Sequence, residues 1–217
     1  MGVGCQFQDG EAMNQAQMIH QNSGVTEYHT PLDIVDVARA LLGGTIDLDP
    51  ASNPLANANI RAATIYTRFD DGLSKNWAGR VFMNHPFSSP ERACKPNCRK
   101  LVCKRRGYCT DVDLPGNADW INKLVSSYES GDVTSACCIC FAATSEQWFA
   151  PLMRYPQMYF TGRVNYYLAN GDLTEGVPKG SVLTYFPPKS MSLPLAGTLM
   201  KHIFGMGTRR GIVKIEA

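Results

Sequence analysis

The chain has no uninterrupted apolar stretch near the ~20 residues that a helical membrane span requires. Its hydrophobic residues, 44% of the total, are therefore expected to fill a core. A signal-peptide pattern is also lacking. Residues 1 to 22 are polar and Gln-rich, without a basic start and an apolar middle, so a cytoplasmic location is expected. Net charge is scarce, at +2 over 217 residues, which excludes a polycation read as a whole. No Gly-x-Gly-x-x-Gly follows an apolar run, and Gly2-x-Gly4 stands in the polar start, where it carries no weight. No internal repeat is visible. The length suits one domain with a substantial core. Residues 1–25 lack any period and read as a flexible N-terminal arm, leaving 26–217 as the single domain.

The rest of the chain alternates between two kinds of period. Thr30-Pro31 is expected to open a helix, with Thr30 as its cap and Ile34, Val35, Ala38, Leu41 and Leu42 on one face; Gly43-Gly44 ends it. Thr45 to Asp49 reads as a strand ending in Asp-Pro, and residues 50–64 as a loop with one helix. Asp70-Asp71-Gly72 is a turn signal, and Arg80 to Asn84 is the next strand. Residues 88–116, rich in Pro, Cys and Arg, resemble an insertion. Asn117 is expected to cap a helix bearing Trp120, Ile121, Leu124, Val125 and Tyr128. Val133 to Phe141 is apolar throughout, as for a strand covered on both faces. A short helix from Ser145-Glu146 follows. Strands are then expected at 157–160, 163–168 and 181–186, a helix at 195–204, and a last strand at 211–215. The pattern predicts an α/β sandwich, Rossmann-like, with a mainly parallel sheet, an antiparallel edge hairpin and a small Cys-rich insertion. Ligands of such sheets sit beyond the carboxyl ends of the strands, where both Asp49-Pro50 and Asn84-His85-Pro86-Phe87 would lie.

Asn84-His85-Pro86-Phe87, directly after the apolar run Val81-Phe82-Met83, is the segment richest in chemistry. An exocyclic amino group on a nucleobase is a poor nucleophile, because its lone pair is delocalised into the ring. Two acceptors on its hydrogens draw the nitrogen toward tetrahedral geometry and free that pair. The Asn84 side-chain oxygen is one such acceptor and the His85 main-chain carbonyl the other. Pro86 holds His85 extended, which aims that carbonyl. Phe87 offers a ring on which an extruded base can stack. A plain turn is the competing interpretation of the tetrapeptide by itself.

Several short segments together resemble the phage-encoded DNA N6-adenine methyltransferases. They are Tyr28-His29-Thr30-Pro31, Ile46-Asp47-Leu48-Asp49-Pro50-Ala51-Ser52, Asp71-Gly72-Leu73 followed by Trp77, Gly79-Arg80-Val81-Phe82-Met83-Asn84, and Gly162-Arg163-Val164. The resemblance spans residues 28 to about 188 and implies transfer of a methyl group from S-adenosylmethionine to the N6 amino group of adenine in DNA. By the same resemblance Asp49, Pro50 and Ala51 would contact the cofactor, with Thr30 and Pro31 near its methionine end. Asp71, Gly72 and Leu73 would flank its adenine, although an ordinary turn competes there. The carboxylates of Asp47 and Asp49 are expected to point to opposite faces, so that at most one of the two reaches the cofactor directly. The family carries Asn-Pro-Pro-Tyr or Asn-Pro-Pro-Phe at the catalytic loop. Here His85 replaces the first Pro, and its imidazole is expected beside the amino group, able to accept a proton or contact DNA. Methylation of cytosine N4 or of RNA, and an inactive zinc-stabilised DNA-binding relative, are the alternatives. Cytosine C5 chemistry uses a cysteine nucleophile, typically after proline, and no Pro-Cys dipeptide occurs.

Cysteine is plentiful: eight, in a chain without a secretion pattern, which argues against a disulfide framework. Cys94-x3-Cys98-x4-Cys103-x5-Cys109 places four thiols in a loop too polar to fold by burial. A tetrahedral structural Zn²⁺ would organise it, with free thiols as the competing account. Arg92, Lys95, Arg99, Lys100, Lys104, Arg105 and Arg106 surround these thiols, with no acid between residues 92 and 110. Such a cluster suits a DNA backbone, and a solvated loop would look the same. Cys137, Cys138 and Cys140 fit the buried strand as small apolar residues.

Overall fold

A computed structural model describes residues 28–168, 171–174, 177, 179–207 and 211–214, apart from the side chains of Arg105 and Arg106. The expected N-terminal arm, residues 1–25, lies outside the described residues. In chain order the elements are α1 (Leu32–Leu41), β1 (Ile46–Asp49), α2 (Pro54–Ile60), β2 (Ala62–Ile65), β3 (Gly79–Met83), α3 (Leu101–Arg106) and α4 (Asn117–Ser130). After these come β4 (Val133–Phe141), a 3₁₀ helix (Gln147–Arg154), β5 (Gln157–Phe160), β6 (Ser181–Phe186), α5 (Leu193–Met206) and β7 (Gly211–Lys214).

One seven-stranded sheet runs β2-β1-β3-β4-β6-β5-β7. The first four strands are mutually parallel; β6, β5 and β7 join by antiparallel pairing. The fold is thus the mixed α/β sandwich that the alternating pattern predicts. Its antiparallel part is larger than an edge hairpin, because β6 lies between β4 and β5 in the sheet. The strand expected at 163–168 does not form. That stretch is irregular and makes only isolated bridges from Tyr167, to His29 and to Leu173. Tyr166 and Val164 are nevertheless buried. Their apolar alternation reflects packing without a neighbouring ladder, and the two signals look alike in a sequence.

Alternation along the central strands sorts side chains into two cores. Phe82, Cys137, Ile139 and Phe141 face α1 and α5. Val81, Met83, Ala136, Cys138 and Cys140 face α4 and the 3₁₀ helix, where Trp120 and Trp77 lie. Trp120, Ile121 and Leu124 are fully buried, which explains the helical spacing of apolar residues in α4. Burying each such side chain contributes about 2 kcal/mol. Cys137, Cys138 and Cys140 are buried strand residues, and burial pushes the Cys137 and Cys140 thiols well up. Among the described residues no helix is long and apolar enough to cross a membrane.

β1 leads to β2 on one side of it, and β3 then returns to the other side. The strand order therefore reverses between β1 and β3. In open α/β sheets this reversal is the point where loops part and leave a crevice beyond the carboxyl ends. Both Asp49 and Asn84 stand there, with Leu48 opposite Val81 in register.

Candidate functional site

Asn84 continues the alternation of β3 and turns toward α1. Its Nδ2 donates to the Tyr28 main-chain oxygen (3.0 Å) and to Thr30 Oγ1 (2.9 Å). Both amide hydrogens are spent, so Oδ1 is left as a pure acceptor with no protein partner among the described residues. Thr30 is consequently not the helix cap. Pro31 occupies the cap position and makes no side-chain bond, while its carbonyl accepts from Ile34 and Val35 at 3.1 Å. The hydroxyl expected to cap α1 instead holds the asparagine.

His85, one residue on, points through the other side of the sheet. Its ring is fully buried, roughly parallel to Trp120 (28° between planes, centroids 6.4 Å apart) and edge-on to Phe87 at 5.4 Å. Nε2 lies 3.0 Å from Asn117 Oδ1. The imidazole expected beside the amino group is therefore absent from that corner, because strand alternation sends residues 84 and 85 to opposite faces. Only the main-chain carbonyl of His85 remains available there. Among the described residues Nδ1 has no oxygen or nitrogen partner, and the Cys138 thiol is its polar neighbour. Burial raises that thiol, but hydrogen bonds with Cys140 and His85 outweigh the effect and draw it below the ordinary range. Phe87 is half-buried, with its ring 4.6 Å from Phe141 and 6.3 Å from Tyr166. Asn117 is not the cap of α4. It is the first helical residue, and Gly116 takes the cap position, with its N–H donating to Asp119 Oδ2 at 2.8 Å.

On β1 the expectation about the two aspartates fails. Residues two apart on a strand share a face, so alternation does not separate them; depth does. Asp47 lies at the rim and pairs with Arg80, which binds both of its carboxylate oxygens (2.9 and 2.8 Å). This contact holds the Asp47 carboxyl below its usual value. Gly79 makes room for it, since a Cβ there would fall 2.6 Å from Asp47 Oδ2. Asp49, by contrast, is 1% exposed and receives the Ala51 N–H at 3.2 Å. Burial pushes it up to about 7, while Ser52 and Ala51 pull the other way. Ser52 stands close enough to favour the ionised form, yet its buried Oγ makes no hydrogen bond of good geometry among the described residues. A desolvated carboxylate and an orphaned hydroxyl at a sheet's reversal point are groups awaiting polar partners. Pro50 is buried and Ala51 half-buried beside them.

Asp71, Gly72 and Leu73 have a structural account of their own. Asp71 adopts a left-handed conformation (φ 48°), and its carbonyl accepts from Ser74. Gly72 O receives the Trp77 indole N–H at 2.7 Å, and Leu73 packs on the α4-side core. The competing turn interpretation therefore explains this segment.

In the insertion, the four cysteine sulfurs all lie within 4.8 Å of one another. Cys103 Sγ is 3.5 Å from Cys94 Sγ and 3.6 Å from Cys98 Sγ. Zn–S bonds of about 2.3 Å in a tetrahedron place sulfurs about 3.8 Å apart, so the cluster has the right size to hold a metal ion such as zinc. Burial would raise the Cys94 thiol, but the Thr110 main chain and the neighbouring thiols bring it down to about 6. Burial and the same neighbours push Cys103 up to about 12 and raise Cys109. One thiolate forms readily and its neighbours then resist ionising, an arrangement that a divalent cation would reverse. α3, short and unforeseen, runs from Leu101 to Arg106 and carries Cys103. Arg92, Lys95, Arg99 and Lys104 are exposed around the sulfurs. Lys100 is committed to the Arg92 carbonyl (2.6 Å) and Glu91 (3.7 Å). The side chains of Arg105 and Arg106 lie outside the described residues.

Ser52, Asn117 and the Tyr28 carbonyl also stand at this corner, beyond the residues expected there. Ser52 had a signal, since it directly follows Asp-Pro-Ala. Asn117 did not, because a polar residue ahead of a helix reads first as a cap. Comparison with protein-family models, curated proteins and solved structures found no match for this chain.

Proposed function

We propose that the protein transfers a methyl group from S-adenosylmethionine to the N6 amino group of adenine in DNA. One observation carries this reading: Asn84, at the carboxyl end of β3, has both amide hydrogens bound by Tyr28 and Thr30. Its oxygen is thereby fixed as an acceptor before any substrate arrives, and such preorganisation costs nothing at the moment of reaction. The oxygen would take one hydrogen of the amino group, and the His85 carbonyl the other. Phe87, backed by Phe141 and Tyr166, would support the flat face of an extruded base.

The residues at β1 fit the cofactor. Asp49 and the orphaned Ser52 Oγ supply buried polar groups of the kind that ribose hydroxyls satisfy. Bound cofactor would supply an electrophilic methyl. The chain's own part is to orient the amino nitrogen, exclude water and hold the two hydrogens apart, with no covalent intermediate on the protein. The Cys94, Cys98, Cys103 and Cys109 cluster would take Zn²⁺ in a structural role, because four thiolates leave no open position. The exposed basic residues around it would contact phosphates near the extruded base.

The test is transfer of labelled methyl from S-adenosylmethionine to unmethylated DNA, followed by nucleoside analysis. N6-methyladenine is the expected product. Label in N4-methylcytosine or only in RNA would move the substrate, and binding to DNA with no label in any nucleoside would leave an inactive DNA-binding relative.

A further inference from the structure

The insertion leaves and rejoins the fold at one junction. Its outgoing stem starts at Ser88, directly after the Asn84–Phe87 tetrapeptide, and its returning stem ends at Asn117, the first residue of α4. The stems are zipped together. Glu91 and Leu114 exchange two main-chain hydrogen bonds (3.0 and 2.7 Å), and Asn117 N donates to Ser88 O at 2.9 Å. Gly116 lies flat against Pro90, where an added Cβ would fall 2.5 Å from the proline nitrogen, so the junction has no slack. Toward the sulfurs, Cys94 N donates to Thr110 O at 2.7 Å and Ala93 N to Asp113 Oδ1 at 2.7 Å. Toward the sheet, Asn117 reaches back to His85 at 3.0 Å.

We propose that the metal-bound four-cysteine module positions the Asn84–Phe87 loop, with the Asn117–His85 hydrogen bond as the coupling between them. A metal closing the Cys94–Cys109 loop removes most of its conformational freedom and keeps the stems paired. Paired stems fix Gly116 against Pro90, and this sets where the Asn117 side chain stands. His85 is fully buried between Trp120 and Phe87; its ring is anchored to the insertion's returning stem by Asn117 and to the sheet by the Cys138 thiol. The same residue carries the carbonyl on the reacting side. Asn117 is therefore a positioning residue, which acts through His85 and touches neither metal nor substrate. The proposal rests on zinc occupying the cluster. Only its consequence for rate rests on the methyl-transfer reading.

Two measurements on the full chain test it without any methyl acceptor. Zinc affinity, read by competition with a chromophoric chelator, should weaken roughly five- to tenfold in Asn117→Ala, because coupling between two sites is reciprocal. Asn117→Asp, which keeps the acceptor, should restore it. An unchanged affinity in Asn117→Ala, or failure of the aspartate to rescue, overturns the coupling. Amide hydrogen exchange over residues 84–88 should speed up by a similar factor when zinc is chelated, and should respond much less in Asn117→Ala. If chelation loosens residues 91–114 and leaves 84–88 untouched, the module is only a tethered finger. Where transfer activity is established, chelation should lower kcat and leave cofactor KM in place. An inactive protein that passes the first two tests would refute the methyl-transfer reading and keep the positioning device.

Discussion

The carboxyl ends of β1 and β3 and the Cys-rich insertion adjoin in sequence but rest on different physics. At the strand ends, Asn84 and Asp49 are held by burial, because two packed cores fix the strands and the strands fix the side chains. Among the described residues of the insertion, Cys103 and Leu114 are the only buried hydrophobic side chains, while Leu101 and Val102 are exposed. What brings that segment together is sulfur chemistry and a few main-chain bonds. The first region should keep its shape when its ligands are removed. The second should not.

The largest effect expected from a single substitution is at Asn84. Asn84→Ala removes one preorganised acceptor, and should cut methyl transfer by roughly 10²–10³-fold, a loss that appears in kcat. Stability should also fall, by about 1–3 kcal/mol, since the substitution takes two buried hydrogen bonds away from the Tyr28 carbonyl and the Thr30 hydroxyl. A rate within twofold of the parent in the labelled-methyl assay would remove the tetrapeptide from the chemistry. Next comes metal removal. Cys98→Ser should weaken zinc binding by on the order of a hundredfold or more, because one of four ligands is lost. Protection against hydrogen exchange should then collapse in residues 91–114, while β1, β3 and β4 stay protected. Simultaneous loss of protection in the sheet would erase the contrast between the two regions.

This contrast also explains what could be read from the sequence. β4 was legible because a strand covered on both faces needs an unbroken apolar run, and Val133 to Phe141 supplies one. The thiol cluster was legible for another reason: four cysteines in a polar loop have few other uses. Side-chain direction at the junctions was harder to read. Thr30 and Asn117 both look like helix caps, yet each spends its side chain on the Asn84–Phe87 segment, a partner 54 or 32 residues away in sequence. His85 looked like a functional imidazole because it departs from the Asn-Pro-Pro pattern. Counting alternation from Phe82 would have placed it in the α4-side core. Local propensity ranks the partners nearest in sequence first, and tertiary contacts override it where segments converge.

A third prediction concerns pH. The Asp49 carboxyl is raised from 3.8 to about 7 in the folded chain. The folded state thus binds a proton more tightly than the unfolded state between those values, so stability should fall as pH rises from about 4 to about 7. Above that window the buried charge destabilises the ligand-free protein by a few kcal/mol at most. Asn at position 49 never ionises, so Asp49→Asn should flatten this part of the stability curve and weaken cofactor binding. Urea melts of both proteins across the window give the comparison. Parallel curves would mean that Asp49 is solvated or already partnered.

The smallest effect is expected on the basic face of the insertion, and it sharpens the comparison most directly. Arg99 and Lys104 are exposed beside the thiols and contribute nothing to the sheet. If they touch phosphates, Arg99→Ala and Lys104→Ala should each weaken DNA binding a few-fold, and equally across sequences. Each should also lower the slope of log affinity against log salt by about 0.9, the signature of one fewer released counterion. The loss should appear in KM for DNA and leave kcat alone, because a phosphate contact steadies ground state and transition state alike. Asn84→Ala should do the reverse. The two regions are then separable by kinetics: one sets the rate and the other the grip. A fall in kcat from Lys104→Ala, with the salt slope unchanged, would instead tie the insertion to the chemistry through the Asn117–His85 contact and make its charge incidental.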